Sequence, residues 1–198
     1  MMGNWVLGFA GLAMLYAALV SLTVLLSAKI LGRFPGWRIL PLLFTTLVFV
    51  FLTQHPFPPL GRLDCPVPTA QAQLRPFQFW TTFAHLHDQG AGIAEWLRNR
   101  TVAATVMNFV VCAVIGLTLA RHTTQLSVAM LFGVGLTLTV ELTQLTGLWG
   151  LYACAYRQFN VDDIILNALG VVVGFLVGRV SSKGRHLTSE RKEKAQAD

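Results

Sequence analysis

Long apolar runs alternate with short polar ones along this chain, and five of the runs are long enough to cross a bilayer as helices. They lie at about Trp5 to Ala28, Arg38 to Gln54, Thr101 to Ala120, Thr124 to Gly147 and Val161 to Val180. The second is the shortest and carries Pro41 near its start, where a missing N–H is tolerated. The first has no Lys or Arg before it and exceeds the apolar stretch of a secretory signal, which predicts a retained helix. Residues 55–100 are too many for a plain connection. They open on His55-Pro56-Phe57-Pro58-Pro59, pass Pro66 and Pro68, and turn aromatic at Phe77, Phe79, Trp80, Phe83 and Trp96. Such rings favour the headgroup layer, so this loop is expected to be partly interfacial.

Composition sharpens the class. Of 198 residues, 54% are hydrophobic and 12% charged, against about 25% charged in an ordinary soluble domain. Mean hydropathy is +0.58. The chain therefore reads as all-α, a polytopic membrane helix bundle. It divides into two N-terminal transmembrane helices (1–54), the long extracytoplasmic loop (55–100), a three-helix core (101–180) and a basic cytoplasmic tail (181–198). The polar tail is expected to be disordered. Lys29, Arg33, Arg38, Arg121, Arg179, Lys183, Arg185, Arg191, Lys192 and Lys194 make ten basic residues on one side. Arg62, Arg75, Arg98, Arg100 and Arg157 make five on the other. The positive-inside rule then puts the N-terminus outside and the tail in the cytoplasm. The formal net charge of +6 is mostly this bias, and no nucleic-acid-binding motif accompanies it.

Polar residues inside the apolar runs carry the candidate chemistry, because lipid does not solvate ionisable groups and a functional site is the default explanation. On the fifth helix, Asp163, Asn167, Gly170 and Gly174 recur at steps of four, three and four, and Gly178 extends the face. On the fourth, Gly133, Thr137, Glu141 and Gln144 make a similar stripe. On the third it is Thr105, Asn108, Cys112 and Gly116. Asn108, Glu141 and Asn167 each fall six or seven residues from the outer end of their helix, about 10 Å deep at 1.5 Å per residue. Matching depths on antiparallel helices predict one pocket in the outer leaflet. Glu141 and Asp163 are expected to face each other, or Arg157, since unpaired carboxylates at that depth are costly.

Plainer readings stand beside this one. Asn160 can cap the fifth helix, with Asp162 and Asp163 favoured in its first turn by the helix dipole. Asn108 and Asn167 can act as interhelical hydrogen-bond glue, and the glycines Gly116, Gly133, Gly170, Gly174 and Gly178 as close-packing positions. His85-x-His87-Asp88 has no third ligand beyond His55, so no metal site is expected, and no cofactor fingerprint appears. Cys112 falls mid-membrane as a small packing residue. Cys65 and Cys154 both fall on the outer side, where disulfides persist, and are expected to pair.

Glu141-x-x-Gln144, followed by Arg157-x-Phe159-x-x-Asp162-Asp163-x-x-x-Asn167-x-x-Gly170, resembles the signature of VanZ-like membrane proteins. Arg75-Pro76-Phe77 corresponds to a Pro-Phe element ahead of the family's third helix, and Asn108 to Gly116 resembles its Asn-to-Gly helix. The likeness covers the third to fifth helices and their loops. Asn160 stands where the family often has Asp, and Val114 where it often has Pro. The resemblance implies a link to the cell envelope, since some members confer resistance to the lipoglycopeptide teicoplanin. It implies ligand-binding roles for Glu141, Gln144, Arg157, Asp162, Asp163 and Asn167, to which helical spacing adds Asn108.

The function expected is a non-enzymatic, multi-pass protein of the bacterial inner membrane. Its pocket would bind an envelope ligand such as a lipid-linked wall precursor or a lipoglycopeptide. The alternative is a membrane-embedded hydrolase or transferase on a lipid-linked substrate, with Glu141 or Asp163 as acid/base. A proton-coupled carrier ranks lower, because no inverted repeat is found.

Overall fold

The computed structural model describes residues 2–55, 57 and 71–197, with side chains for those between 10 and 182. Helix α1 spans Met2–Ile30. A 3₁₀ turn at Trp37–Ile39 leads into α2, Leu40–Gln54. Two short helices follow, α3 at Phe79–Asp88 and α4 at Ile93–Arg98. Then come α5 at Arg100–Leu119, α6 at Leu126–Leu145 and α7 at Val161–Ala197. Helices α1, α2, α5, α6 and α7 are long and apolar enough to cross a membrane. Among the described residues no strand forms; a single parallel bridge joins Gln73 to Asn160.

The five apolar runs thus become five long helices, with three differences. Part of the long loop is an arm of two helices. Phe79, Phe83 and Leu86 recur at steps of four and three, which puts them on one face of α3. Phe83 meets both Phe79 and Trp96 edge-on at 5.4 Å, so the rings tie α3 to α4. Helix α6 stops at Leu145 rather than Gly147. Gly147 has φ 60°, and Leu148 and Trp149 follow at 57° and 58°, so the chain makes a left-handed turn. A side chain at Gly147 would also press within 2.5 Å of the Cys154 carbonyl oxygen. Finally, α7 does not end at Val180, and the tail expected to be disordered continues as helix to Ala197. Residues 183–197 contain no proline and are rich in Lys, Arg, Glu, Gln and Ala, all good helix formers.

Packing centres on α7, which lies against α5 and α6, while α2 bridges α1, α5 and α6. The core holds Leu42, Phe49, Cys112, Ile115, Val140, Val171 and Phe175. Cys112 is a buried free thiol there. The closest approach is between α5 and α7. A methyl group at Gly174 would overlap the Ala113 backbone, and one at Gly116 the Val171 carbonyl. At Gly170 it would come 2.5 Å from the Phe109 carbonyl oxygen, and at Gly178 2.7 Å from Ala120 Cβ. Gly133 is looser, 3.1 Å from Val171 Cβ. In lipid, where apolar burial between helices gains little, such backbone approach is a main source of association. Helix α1 buries Ala13, Ala17, Ser21 and Leu25 along one face and packs on α2. Leu19, Leu22, Val106, Val110, Leu131 and Val177 stay exposed, as a lipid-facing surface requires.

Candidate functional site

The polar residues gather at the end of the bundle that carries segments 71–99 and 146–160. Asn160 is the junction. Its side-chain oxygen accepts the Asp162 N–H at 3.0 Å and so caps α7. The same oxygen accepts from Gln73 Nε2 at 3.3 Å. Its own N–H donates to Glu141 Oε2 at 2.8 Å. On either side, Gln73 N–H donates to the Phe159 carbonyl at 2.7 Å and Val161 N–H to the Gln73 carbonyl at 3.0 Å. The arm is thereby stitched to the start of α7.

Asp162 completes that attachment. It is 3% exposed, and its two oxygens accept the N–H groups of Phe77 at 2.5 Å and Phe79 at 3.1 Å. Helix α3 has no side-chain cap at its own N-cap, Gln78, so a residue from α7 does the capping. Phe77 takes φ 62° at this point, a conformation unusual for a large residue and held by the Asp162 contact. The Arg75-Pro76-Phe77 element is thus the docking point of the arm.

One level deeper, Asn108 Nδ2 donates to Asp163 Oδ1 at 3.0 Å. Glu141 and Asp163 lie within electrostatic range of each other and of Arg157. Among the described residues neither forms an ion pair, and the hydrogen bonds each accepts come from neutral donors. Glu141 accepts a backbone N–H and Asp163 a side-chain amide N–H, which stabilise a buried and a half-buried carboxyl group without burying a countercharge. Asn167 is 1% exposed in the helix interface, and its Oδ1 has no hydrogen-bond partner among the described residues.

Gln144 and Arg157 serve elsewhere. Gln144 Nε2 and an Arg157 guanidinium nitrogen both donate to the Thr53 carbonyl, each at 2.9 Å. That carbonyl is among the unpaired acceptors at the end of α2, where a cation is also favoured by the dipole. Next to it, Gln54 Nε2 donates to the Val140 carbonyl at 3.1 Å, and Tyr156 donates its hydroxyl to Gln54 Oε1. Burial pushes the Tyr156 hydroxyl up to about 12, partly offset by the nearby Arg157. Sequence reasoning missed Gln54; a glutamine closing an apolar run was the available signal.

A cleft of about 480 Å³ opens beside this junction. Asp162, Asp163 and Asn160 line it from α7, Arg100, Thr101 and Thr105 from α5, and Gln73, Phe79 and Thr82 from the arm. Of the seven ligand-binding candidates, only Asp162 and Asp163 border it. Asn108 and Glu141 stand behind it, holding Asp163 and Asn160. Arg100 was weighed only as a topology charge, and Gln73 carried no signal because its partner is far away in sequence. Apart from this cleft, His85, His87 and Asp88 are exposed on α3, with His87 Nδ1 3.6 Å from Asp88 Oδ1. Cys154 is disulfide-bonded, and Cys65 lies outside the described residues.

Comparison with known proteins agrees with the motif. No curated protein and no solved structure matches the chain. The family model described as VanZ/LLP1 matches residues 37–182, which takes in α2 and the arm as well as α5 to α7 and leaves α1 outside. With that match covering well over half of its 198 residues, the chain belongs to the VanZ-like family.

Proposed function

We propose that this protein is a non-enzymatic binding protein of the bacterial inner membrane. Its cleft between the arm, α5 and α7 holds the polar part of an envelope amphiphile in the outer leaflet. The cleft itself carries the reading: Arg100 and Asp163 line it together with hydroxyl and amide groups, at the level where membrane-crossing helices begin. A concave site with a few polar groups of both signs suits a headgroup that has an anionic and an amino or amide function. Lipid-linked wall precursors and lipoglycopeptides are of this kind, and the teicoplanin resistance of some family members points the same way. The ten-to-five bias of basic residues supports an outward-facing cleft.

A hydrolase or transferase with Glu141 or Asp163 as acid/base is the second reading; Asp163 borders the cleft, but the Glu141 form of this reading has less support. Glu141 is 2% exposed, engaged by Asn160 and absent from the cleft lining. The test is native mass spectrometry of protein purified in mild detergent. Wild type should retain a distinct amphiphile that Asp163→Asn and Arg100→Gln lose while remaining folded by circular dichroism. If wild type and both variants carry the same bulk lipid, the binding reading fails. Turnover of a lipid-linked substrate that Glu141→Gln abolishes would replace it with the enzyme.

A further inference from the structure

At the opposite end of the bundle, loop 120–125 meets α7 in a second cleft, of about 330 Å³. Its lining is Ala120, Arg121, His122, Thr123, Thr124, Gln125 and Arg179. The two arginines come from different elements, brought together because Gly178 lets α7 close on Ala120. No acidic residue lines the cleft, and among the described residues no ion pair engages Arg121 or Arg179. Two guanidinium groups, an imidazole and threonine hydroxyls make a donor set matched to phosphate oxygens. Helix α6 starts at Leu126 with no side-chain cap from Gln125, so its dipole adds potential of the same sign.

We propose that this cleft, with Arg121, His122, Thr124 and Arg179, binds the phosphate headgroup of an anionic membrane lipid. The surroundings favour a lipid over a soluble phosphate. Arg179 lies inside the last membrane-spanning stretch, Val161–Ser182. Exposed apolar side chains flank the cleft along the same helices, Leu117 on α5, Leu126 on α6 and Leu176, Val177 and Val180 on α7. Acyl chains can lie along these while the arginine heads reach the phosphate from their apolar stems. Basic pockets between membrane helices are suited to anionic headgroups.

The full-length protein, purified in mild detergent, is titrated with phosphatidylglycerol and separately with phosphatidylcholine, and bound lipid is read by native mass spectrometry. Phosphatidylglycerol should bind more tightly. Arg121→Gln/Arg179→Gln should weaken it by about 10–30-fold, and Arg121→Lys/Arg179→Lys should retain most of the binding. Should the double glutamine variant not accumulate, Arg121→Gln alone, at an exposed loop position, gives the same comparison with about a fivefold loss. Equal binding of the two lipids, or unchanged binding by the glutamine variants, overturns the proposal. So does inorganic phosphate binding as tightly as the lipid, which marks a soluble-anion site. Asp163 and Arg100 are untouched in these variants, so the result is independent of the first cleft.

Discussion

Replacing Asp162 by alanine should release the arm formed by α3 and α4 while the membrane bundle stays folded. Asp162 is 3% exposed and accepts the N–H groups of Phe77 and Phe79 from across the chain. Each hydrogen bond to a charged group contributes about 1.5–3 kcal/mol net, so two fully additive bonds would set an upper bound of roughly 3–6 kcal/mol. On release, both N–H groups reach water at the end of the bundle. The two bonds share one carboxylate and are not additive, so the loss should be on the order of 2–3 kcal/mol, somewhat above the loss of an ordinary helix cap. That corresponds to about 30–150-fold more frequent opening of the arm. Hydrogen exchange read by mass spectrometry resolves it. Amides from Phe77 to Asp88 should exchange faster by that factor, while those of α5 and α7 hardly change. Asp162→Asn keeps one acceptor oxygen and should fall between. Because the arm walls the first cleft, ligand retention should drop in parallel. Unchanged exchange in the arm, or equal loosening of every helix, would refute the capping argument.

The other expectations follow from packing, titration and topology. Gly174→Ala places a methyl group into the Ala113 backbone and should cost about 3 kcal/mol, whereas Gly133→Ala, meeting the Val171 side chain and the Ala168 Cα at 3.1–3.4 Å, should cost less than about 1 kcal/mol; thermal unfolding in detergent compares them. The folded-state Tyr156 hydroxyl titrates at about 12 against an ordinary 10, because burial disfavours its charged form. The unfolded chain then loses that proton first, so its contribution is intact below pH 10 and lost as pH rises from 10 to 12. Tyr156→Phe should flatten that limb of the stability profile relative to wild type. Non-reducing peptide mapping should recover Cys65 joined to Cys154, and a free Cys65 thiol would remove that pairing. Impermeant thiol labelling of single-cysteine variants in intact cells should modify positions in 71–98 and 148–160 and spare those beyond Lys183; a labelled tail would reverse the orientation.

Much of the fold was legible because membrane helices announce themselves through length and apolarity alone. The glycine spacing also carried over directly, since a stripe at steps of four can only be one helix face. The arm was less legible. Its pattern at Phe79, Phe83 and Leu86 is helical, but Pro-rich sequence nearby and its short length favoured a loop reading. The site divides similarly. Asn108 and Asp163 each lie on the small-residue stripe of their own helix, and they do meet. Gln144 and Arg157 instead turn to the Thr53 carbonyl, and nothing near them in sequence reveals that α2 ends beside them. Asp162 was read for its charge, whereas its partners are two backbone N–H groups more than eighty residues away.

Asn160 has a mechanical consequence. Its backbone N–H is tied to α6, its side chain to the arm and to the first turn of α7, and its neighbours to Gln73. A slide of α7 along its axis by one residue, about 1.5 Å, would break all of these together. Further down, α7 packs on α5 and α6 through glycines and apolar side chains, and among the described residues no hydrogen bond to another helix fixes its height there. The helix is therefore pinned at one end and guided along the rest. A load applied in the first cleft therefore meets its resistance to a piston stroke at the Asn160 junction, and its resistance to lateral shift in the close approach of α7 to α5.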